Sequence, residues 1–322
     1  MSSSNARFNH DPHWQLEKKK TNFQTARESF WKSRQLYLLL LPALIYLIVF
    51  QYIPMYGAFL AFKDFDPSLG ILGSPWAGMK YFEMFFGGPN FGSLLSNTLL
   101  LSMYSLLIGF PIPIIFALFL NQLRPGVKRF VQTVTYAPFF ISMVVLVSML
   151  GIFLQPETGF INNIIVALGG DQINFMASAE WFRTVFITSG IWQTMGFNAI
   201  IYLAALSSVS PELHESAIVD GASKLRRIWH IDLPSILPTI IILLILAVGN
   251  LATVDWQKAL LMQQGMNLST SELIQTYVYK AGVINSNFSF GTAVGLFNSV
   301  INFVLLIAVN FIARKTSGNS LW

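Results

Sequence analysis

The chain has 322 residues, of which 54% are hydrophobic and 11% charged, against roughly 25% charged in soluble domains. It has no cysteine, which excludes disulfides, thiolate metal sites and cysteine nucleophiles together. Its pI of about 9.4 reads as basic flanks attracted to anionic lipid rather than as a nucleic-acid surface, and the whole composition is that of an integral membrane protein.

Residues 1–35 are polar and basic. Phe23, Arg27, Phe30, Trp31 and Arg34 are spaced for an interfacial helix, with a partly disordered basic tail as the alternative. Six apolar runs follow, near Tyr37–Phe62, Leu94–Leu120, Pro138–Leu154, Thr184–Leu206, Ser235–Val254 and Ala293–Ala313. A crossing of ~30 Å of hydrocarbon takes about 20 helical residues, and backbone groups in lipid must be satisfied within the segment, so these runs are predicted as helices of an all-α bundle. The first run is too long for a signal-peptide core and lacks a small-residue cleavage site, so it is expected to stay. Pro111 and Pro113 predict a kink in the second run; the third is the shortest. Gly291, Gly295 and Ser299 in the sixth predict close helix packing, with a polar pathway as the alternative.

Lys and Arg are divided unevenly among the connections. Fifteen lie in the N-terminal segment, the second and fourth connections and the tail; Lys63, Lys80, Lys258 and Lys280 lie on the other side, with Arg183 at a boundary. Both termini are therefore predicted cytoplasmic. The organisation expected is a basic N-terminal segment (1–35), a transmembrane domain (36–313) containing a cytoplasmic loop (210–234), and a short tail (314–322).

The residues offer little catalytic chemistry. The segment from Gly73 to Gly78 is followed by Met79 and lacks the lysine of a phosphate-binding loop, so no ATP hydrolysis is expected of this chain. His10, His13, His214 and His230 lack metal-ligand spacing. The apolar runs carry essentially no ionisable relay group, only neutral polar and aromatic residues: Trp192, Gln193, Asn198 and Tyr202 in the fourth, Asn250 in the fifth, Asn298 and Asn302 in the sixth. These are the candidate pathway residues, each with interhelical hydrogen bonding as the alternative.

One cytoplasmic stretch stands apart, "ESAIVDGASKLRRIWHIDLPSILP" from Glu215 to Pro238. Ile218, Ala222, Leu225 and Trp229 fall at helical spacing on one apolar stripe. Ser210 is placed as an N-cap, Pro211 just inside a helix start, and Gly221 as a bend between two short helices. A helix lying in the lipid interface is the plain alternative.

The spacing Glu215-Ser216-Ala217, Gly221, then Ile231-Asp232-Leu233-Pro234 resembles the E-A-A-x3-G-x9-I-x-L-P loop of binding-protein-dependent ABC importer permeases, departing only at Ser216. The stretches "FQYIPMYGAFLAFKDFDPSLG", "QTVTYAPFFIS" and the C-terminal run from "TYVYKAGV" are similar to the polysaccharide- or lipoprotein-type branch of the carbohydrate uptake (maltose-type) family. Asp255-Trp256-Gln257 and Gln264-Gly265 depart from it, standing where relatives tend to have a Phe-Glu-Gln-like segment and an Asn-Pro pair.

The resemblance implies a six-span, multi-pass permease of the bacterial inner membrane, half of a channel for an oligosaccharide or polysaccharide fragment, with no catalytic residue or bound cofactor of its own. ATP and Mg would be used by a separate ATPase subunit, on which the loop docks, and two ATPase subunits would serve the complex. Glu215, Ala217, Asp220, Gly221, Ala222, Leu225, Trp229, Ile231, Leu233 and Pro234 would form that contact. The other implied partners are a second permease, an extracytoplasmic solute-binding protein and membrane lipid. A permease for a peptide or amino acid, and an interfacial membrane enzyme, are the competing readings. With only amides, hydroxyls and aromatics in the apolar runs, and eight carboxylates against four lysines on the outer connections, the expected cargo is neutral or weakly charged.

Overall fold

The computed structural model describes residues 33–251 and 255–317. The interfacial helix expected around Phe23–Trp31 lies outside the described residues. Among those described, the only extended pairing is an isolated bridge between Lys63 and Trp76. The chain divides into two units, Met1–Gly57 and Ala58–Trp322.

In the first unit, α1 (Arg34–Leu47) continues through a π turn, Ile48–Tyr52. None of its residues is buried. A helix apolar on every side is suited to hydrocarbon or to a partner helix, because neither requires a polar face.

The second unit is built around one long helix. Its elements are α2 (Lys80–Phe86), α3 (Phe91–Tyr104), α4 (Pro111–Asn121), α5 (Pro125–Tyr136), α6 (Met143–Phe153), α7 (Phe160–Ala167), α8 (Ala179–Ser207), α9 (Pro211–Val219), α10 (Lys224–Arg227), α11 (Leu233–Gly249), α12 (Trp256–Met262), α13 (Ile274–Val278) and α14 (Phe288–Ser317). Ser178 starts α8 by accepting the Trp181 N–H, and Glu180 adds negative charge to the first turn, where the helix dipole favours it. The helix packs along α4, α5 and α11. Its first half buries Phe182, Val185 and Phe186 against Leu101, Ala259, Met262 and Leu273. Its second half buries Ala199, Tyr202, Leu203 and Leu206 against Ile114, Ala117, Leu118 and Ile236. A third cluster joins Tyr81, Phe85 and Leu94 to Ile274, Phe290 and Val294.

The helices Arg34–Phe62, Phe91–Asn121, Lys224–Gly249 and Phe288–Lys315 are long and apolar enough to cross a membrane. The fourth predicted run lies within α8, whose 29 residues span about 44 Å at 1.5 Å each. The third does not form one straight span. Pro138 sits in a 3-10 turn, Ala137–Phe140, and Ser142 then opens α6 by accepting the Val145 N–H. The chain turns 101° between the α5 segment and α6, and the 11 residues of α6 reach only about 16 Å. A proline without an N–H followed by a well-capped restart is what breaks the run.

The predicted kink at Pro111 takes a definite form. A π turn, Ser105–Gly109, ends two residues before it, and the helix continues to Asn121. The same arrangement recurs with Ile48–Tyr52 before Pro54 and Ile228–Asp232 before Pro234. The proline ring clashes with the carbonyl four residues back, and widening the preceding turn relieves that clash without ending the helix.

Glycines set the closest approaches. A Cβ on Gly291 would lie 2.6 Å from the Gly282 Cα, so the π turn Tyr279–Ile284 and α14 touch backbone to backbone. This supports the packing reading of the small-residue stripe at that position; Gly295 faces open space. Gly196 on α8 is pressed in the same way against the Thr135 backbone. Because a main chain yields less readily than a side chain, Gly291→Ala is expected to lower stability by about 1–3 kcal/mol, while Gly295→Ala leaves it nearly unchanged. Thermal unfolding of the two variants in nanodiscs checks this; equal melting temperatures for both would refute the close-packing account.

Candidate functional site

The loop singled out in the sequence forms two short helices joined by a left-handed glycine. Ser210 caps α9 by accepting the Glu212 N–H, with Pro211 in the first turn. At the other end Gly221 has φ +75°. The Gly221 N–H reaches the Ile218 carbonyl at 3.0 Å and the Ala222 N–H reaches Ala217 at 2.8 Å. These are the paired bonds of a Schellman terminus, which requires positive φ at the residue after the cap. Ser223 then caps α10 by accepting the Arg226 N–H, and a π turn, Ile228–Asp232, leads into α11.

The bend divides the predicted apolar stripe. Ile218 lies on α9, Leu225 on α10 and Trp229 in the π turn, with Ala222 half-buried between them. Ile218, Val219, Leu225 and Trp229 are 55, 88, 60 and 65% exposed, a concentration of uncovered apolar surface among charged neighbours. Glu215, Asp220, Lys224 and Arg226 are also exposed.

The base of the loop is fixed by a buried carboxylate. Asp232 is fully buried and accepts from Gln122 Nε2 at 3.0 Å. His214 Nε2 of α9 lies 3.1 Å from its other oxygen. Beside it Ile228 and Ile236 are buried in the core, with Leu233 packed on them; Ala217 and Ile231 are half-buried and Pro234 is exposed. No residue of α9 is buried; His214 is the α9 side chain that meets the buried Asp232.

A cavity of about 310 Å³ lies beside the middle of α8. Phe186, Gly190, Thr194 and Asn198, spaced four apart on one helix face, line it, and Ser102, Ser105, Asn250, Asp255 and Lys258 complete its polar wall. Lys258 was expected on the outer surface, yet it is only 1% exposed. It lies on α12 with Ala259 and Met262, both buried on α8's apolar cluster, and that packing carries the lysine inward. Lys258 thus adds a cation to a cavity whose other polar lining, Asp255 aside, is neutral.

The seven pathway candidates separate in the structure. Asn198 and Asn250 line this cavity. Trp192 lines a second, apolar cavity of about 630 Å³ between α6, α7 and α8. Gln193 is buried and donates to the Ile141 carbonyl at 2.9 Å. Tyr202 is packed in the core with Leu118 and Ile236. Asn298 is buried and Asn302 half-buried on α14, and neither lines the two cavities. Outside the spans, hydrogen bonds from Lys80 and then Tyr81 hold the Asp64 carboxyl below the usual carboxylate range.

A helical bundle with a long central helix, a polar cavity beside it and a protruding two-helix loop at the head of a span is the frame of a transport subunit. The chain belongs to the family of binding-protein-dependent transport system inner membrane components, matched over residues 109–318; members are permease subunits, not enzymes. It is 44% identical to Protein LplB of Bacillus subtilis (strain 168) over 90% of this chain and 92% of that one. It is also 44% identical to the polygalacturonan/rhamnogalacturonan transport system permease protein YteP of the same organism, over 88% and 89%. Its fold matches a chain of a bacterial ABC transporter involved in import of the acidic polysaccharide alginate, with TM-score 0.84, 37% identity and coverage of 91% and 99%. The match is the same for that transporter in complex with an alginate pentasaccharide-bound periplasmic protein. The ABC importer permease fold and multi-pass membrane character follow.

Proposed function

We propose that this chain forms half of the translocation pathway of an ATP-driven importer in the bacterial cytoplasmic membrane, and that its cargo is an oligosaccharide carrying carboxylates. The full arrangement is six crossings with both termini inside, a second permease with a loop of its own, two ATPase subunits docked on that loop and on the 210–234 loop, and an extracytoplasmic binding protein that delivers cargo. The observation that carries the reading is the loop: two short helices set at a left-handed glycine, apolar on the outside and held at the base by a buried carboxylate. An exposed aromatic ringed by charge fits a pocket on a partner, and a rigid bend transmits the partner's movement. A chain without a phosphate-binding loop needs such a partner.

The acidic cargo replaces the neutral one expected from the sequence. It rests on Lys258 in the cavity and on the relatives, whose names specify alginate and polygalacturonan or rhamnogalacturonan.

Affinity purification of the tagged chain from its native membrane is expected to recover a second permease and an ATPase. Proteoliposomes holding that complex should accumulate labelled uronate oligosaccharide only when ATP and the binding protein are both supplied. ATP-driven uptake by this chain and an ATPase without a second permease would overturn the heterodimer.

A further inference from the structure

The cavity beside α8 contains a cation that, among the described residues, lacks a full set of partners. The Lys258 ammonium has three N–H donors. One reaches the Phe186 carbonyl at 2.7 Å, and the Phe186 ring centroid lies 4.7 Å away. Among the described residues no carboxylate lies within ion-pair distance of it, although Asp255 lines the same cavity. A buried ammonium loses its hydration, and a single carbonyl and a ring face replace that poorly. Such a group is a standing demand for an anion.

The surroundings admit one. The Lys258 Nζ lies 3.2 Å from where a Cβ on Gly190 would stand, so the ammonium occupies room that a glycine leaves on the helix face. One and two turns further along that face are Thr194 and Asn198, followed across the cavity by Ser102 and Asn250. Hydroxyls and amides donate and accept without net charge, which suits sugar hydroxyls. A cation at one end and neutral polar groups along the rest match the distribution of polarity on a uronate ring, with one carboxylate and several hydroxyls. The volume, about 310 Å³, is at the lower end for ligand sites, sufficient for a short stretch of saccharide threaded through.

We propose that Lys258 is the charge-selecting residue of this cavity, its ammonium receiving the carboxylate of a passing uronate while Thr194, Asn198, Ser102 and Asn250 take the hydroxyls. This rests on the reading of the chain as a saccharide importer subunit. The contact with Phe186 is then the resting arrangement, exchanged for the carboxylate as cargo enters. Lysine suits a transient contact: its flexible stem and point charge hold a carboxylate without the bidentate fork of arginine.

The test uses the complete complex in proteoliposomes with its binding protein, and as probes uronate trisaccharides prepared from pectin and from alginate, each beside its carboxyl-reduced counterpart. Complex assembly is read separately by size-exclusion chromatography. Uptake of a uronate by the wild type is expected to lose tenfold or more in kcat/KM in Lys258→Met, and to stay within about threefold of wild type in Lys258→Arg. Any uptake of the reduced sugars should be equal in wild type and Lys258→Met. If Lys258→Met takes up the uronate as the wild type does, or loses both sugars equally, the assignment of Lys258 is wrong while the importer reading stands. If the wild type takes up only the reduced sugars, or neither form, the acidic-cargo reading fails and this inference with it.

Discussion

Gly221→Val is expected to abolish ATP-driven uptake, by a hundredfold or more, while the chain still inserts and assembles its bundle. The residue has φ +75° and a Cβ there would meet nothing within 4 Å, so the effect is conformational rather than steric. An L-residue in the left-handed region costs about 1–2 kcal/mol, more when β-branched. The Schellman terminus turns the chain from α9 towards α10, and a valine releases it into an extended conformation that re-aims both helices. Asparagine visits this region readily, so Gly221→Asn should retain most of the uptake, which separates a backbone requirement from a requirement for a small residue. Trp229→Ala approaches the same end differently: truncating a central aromatic anchor removes about 2 kcal/mol or more of binding, roughly thirtyfold, and the ATPase should be lost on purification. Uptake assays with pull-down of the ATPase check both. Wild-type uptake by Gly221→Val would end the docking account.

The glycine, the Ser210 cap and the first-turn proline were all legible because each answers to local backbone chemistry. Most apolar runs were legible for a similar reason, since length against bilayer thickness is a one-dimensional property. The break in the third run was not legible because hydropathy does not register direction: Pro138 and the Ser142 cap are ordinary in composition yet turn the chain through 101°. Gln193 and Tyr202 looked like pathway residues from chemistry alone. Which face of α8 meets a neighbour decides whether an amide points at a sugar or at the Ile141 carbonyl, and no local pattern gives that rotation. Lys258 was hidden by its position in a connection. A signal existed, however: in Trp256-Gln257-Lys258-Ala259-Leu260-Leu261-Met262 the lysine shares a helical face with Ala259 and Met262, both core residues. A cation on the apolar face of a short helix is therefore a sequence signal for a lysine carried inward.

Asp232→Leu is expected to leave the complex hydrolysing ATP but to cut uptake at least tenfold, because this carboxylate ties α9, the proposed docking helix, to the bundle. Its two oxygens take Gln122, at the end of α4, and His214, in α9. The first bond holds α11 to α4; the second contact, at 3.1 Å, sets a side chain of α9 against a buried group. A partner pushing on α9 therefore moves α11 and α4 through His214 and Asp232, and otherwise only through the backbone at Gly221 and Ser208. Removing the buried partner of a polar contact leaves the other group short of a hydrogen-bond partner, at a cost of about 1–3 kcal/mol. The His214 side chain is 24% exposed and water can replace part of what is lost, so His214→Ala should fall below that range and assemble normally. The discriminating variant is Asp232→Asn. Its oxygen still accepts from His214, and its amide can donate to Gln122 once the glutamine amide reverses, so the tether survives without the charge. Uptake per ATP hydrolysed is the measurement: it should drop in Asp232→Leu and His214→Ala and recover in Asp232→Asn. If all three variants lose ATPase activity and uptake in proportion, Asp232 serves folding alone; if none alters the ratio, force reaches the bundle through the main chain.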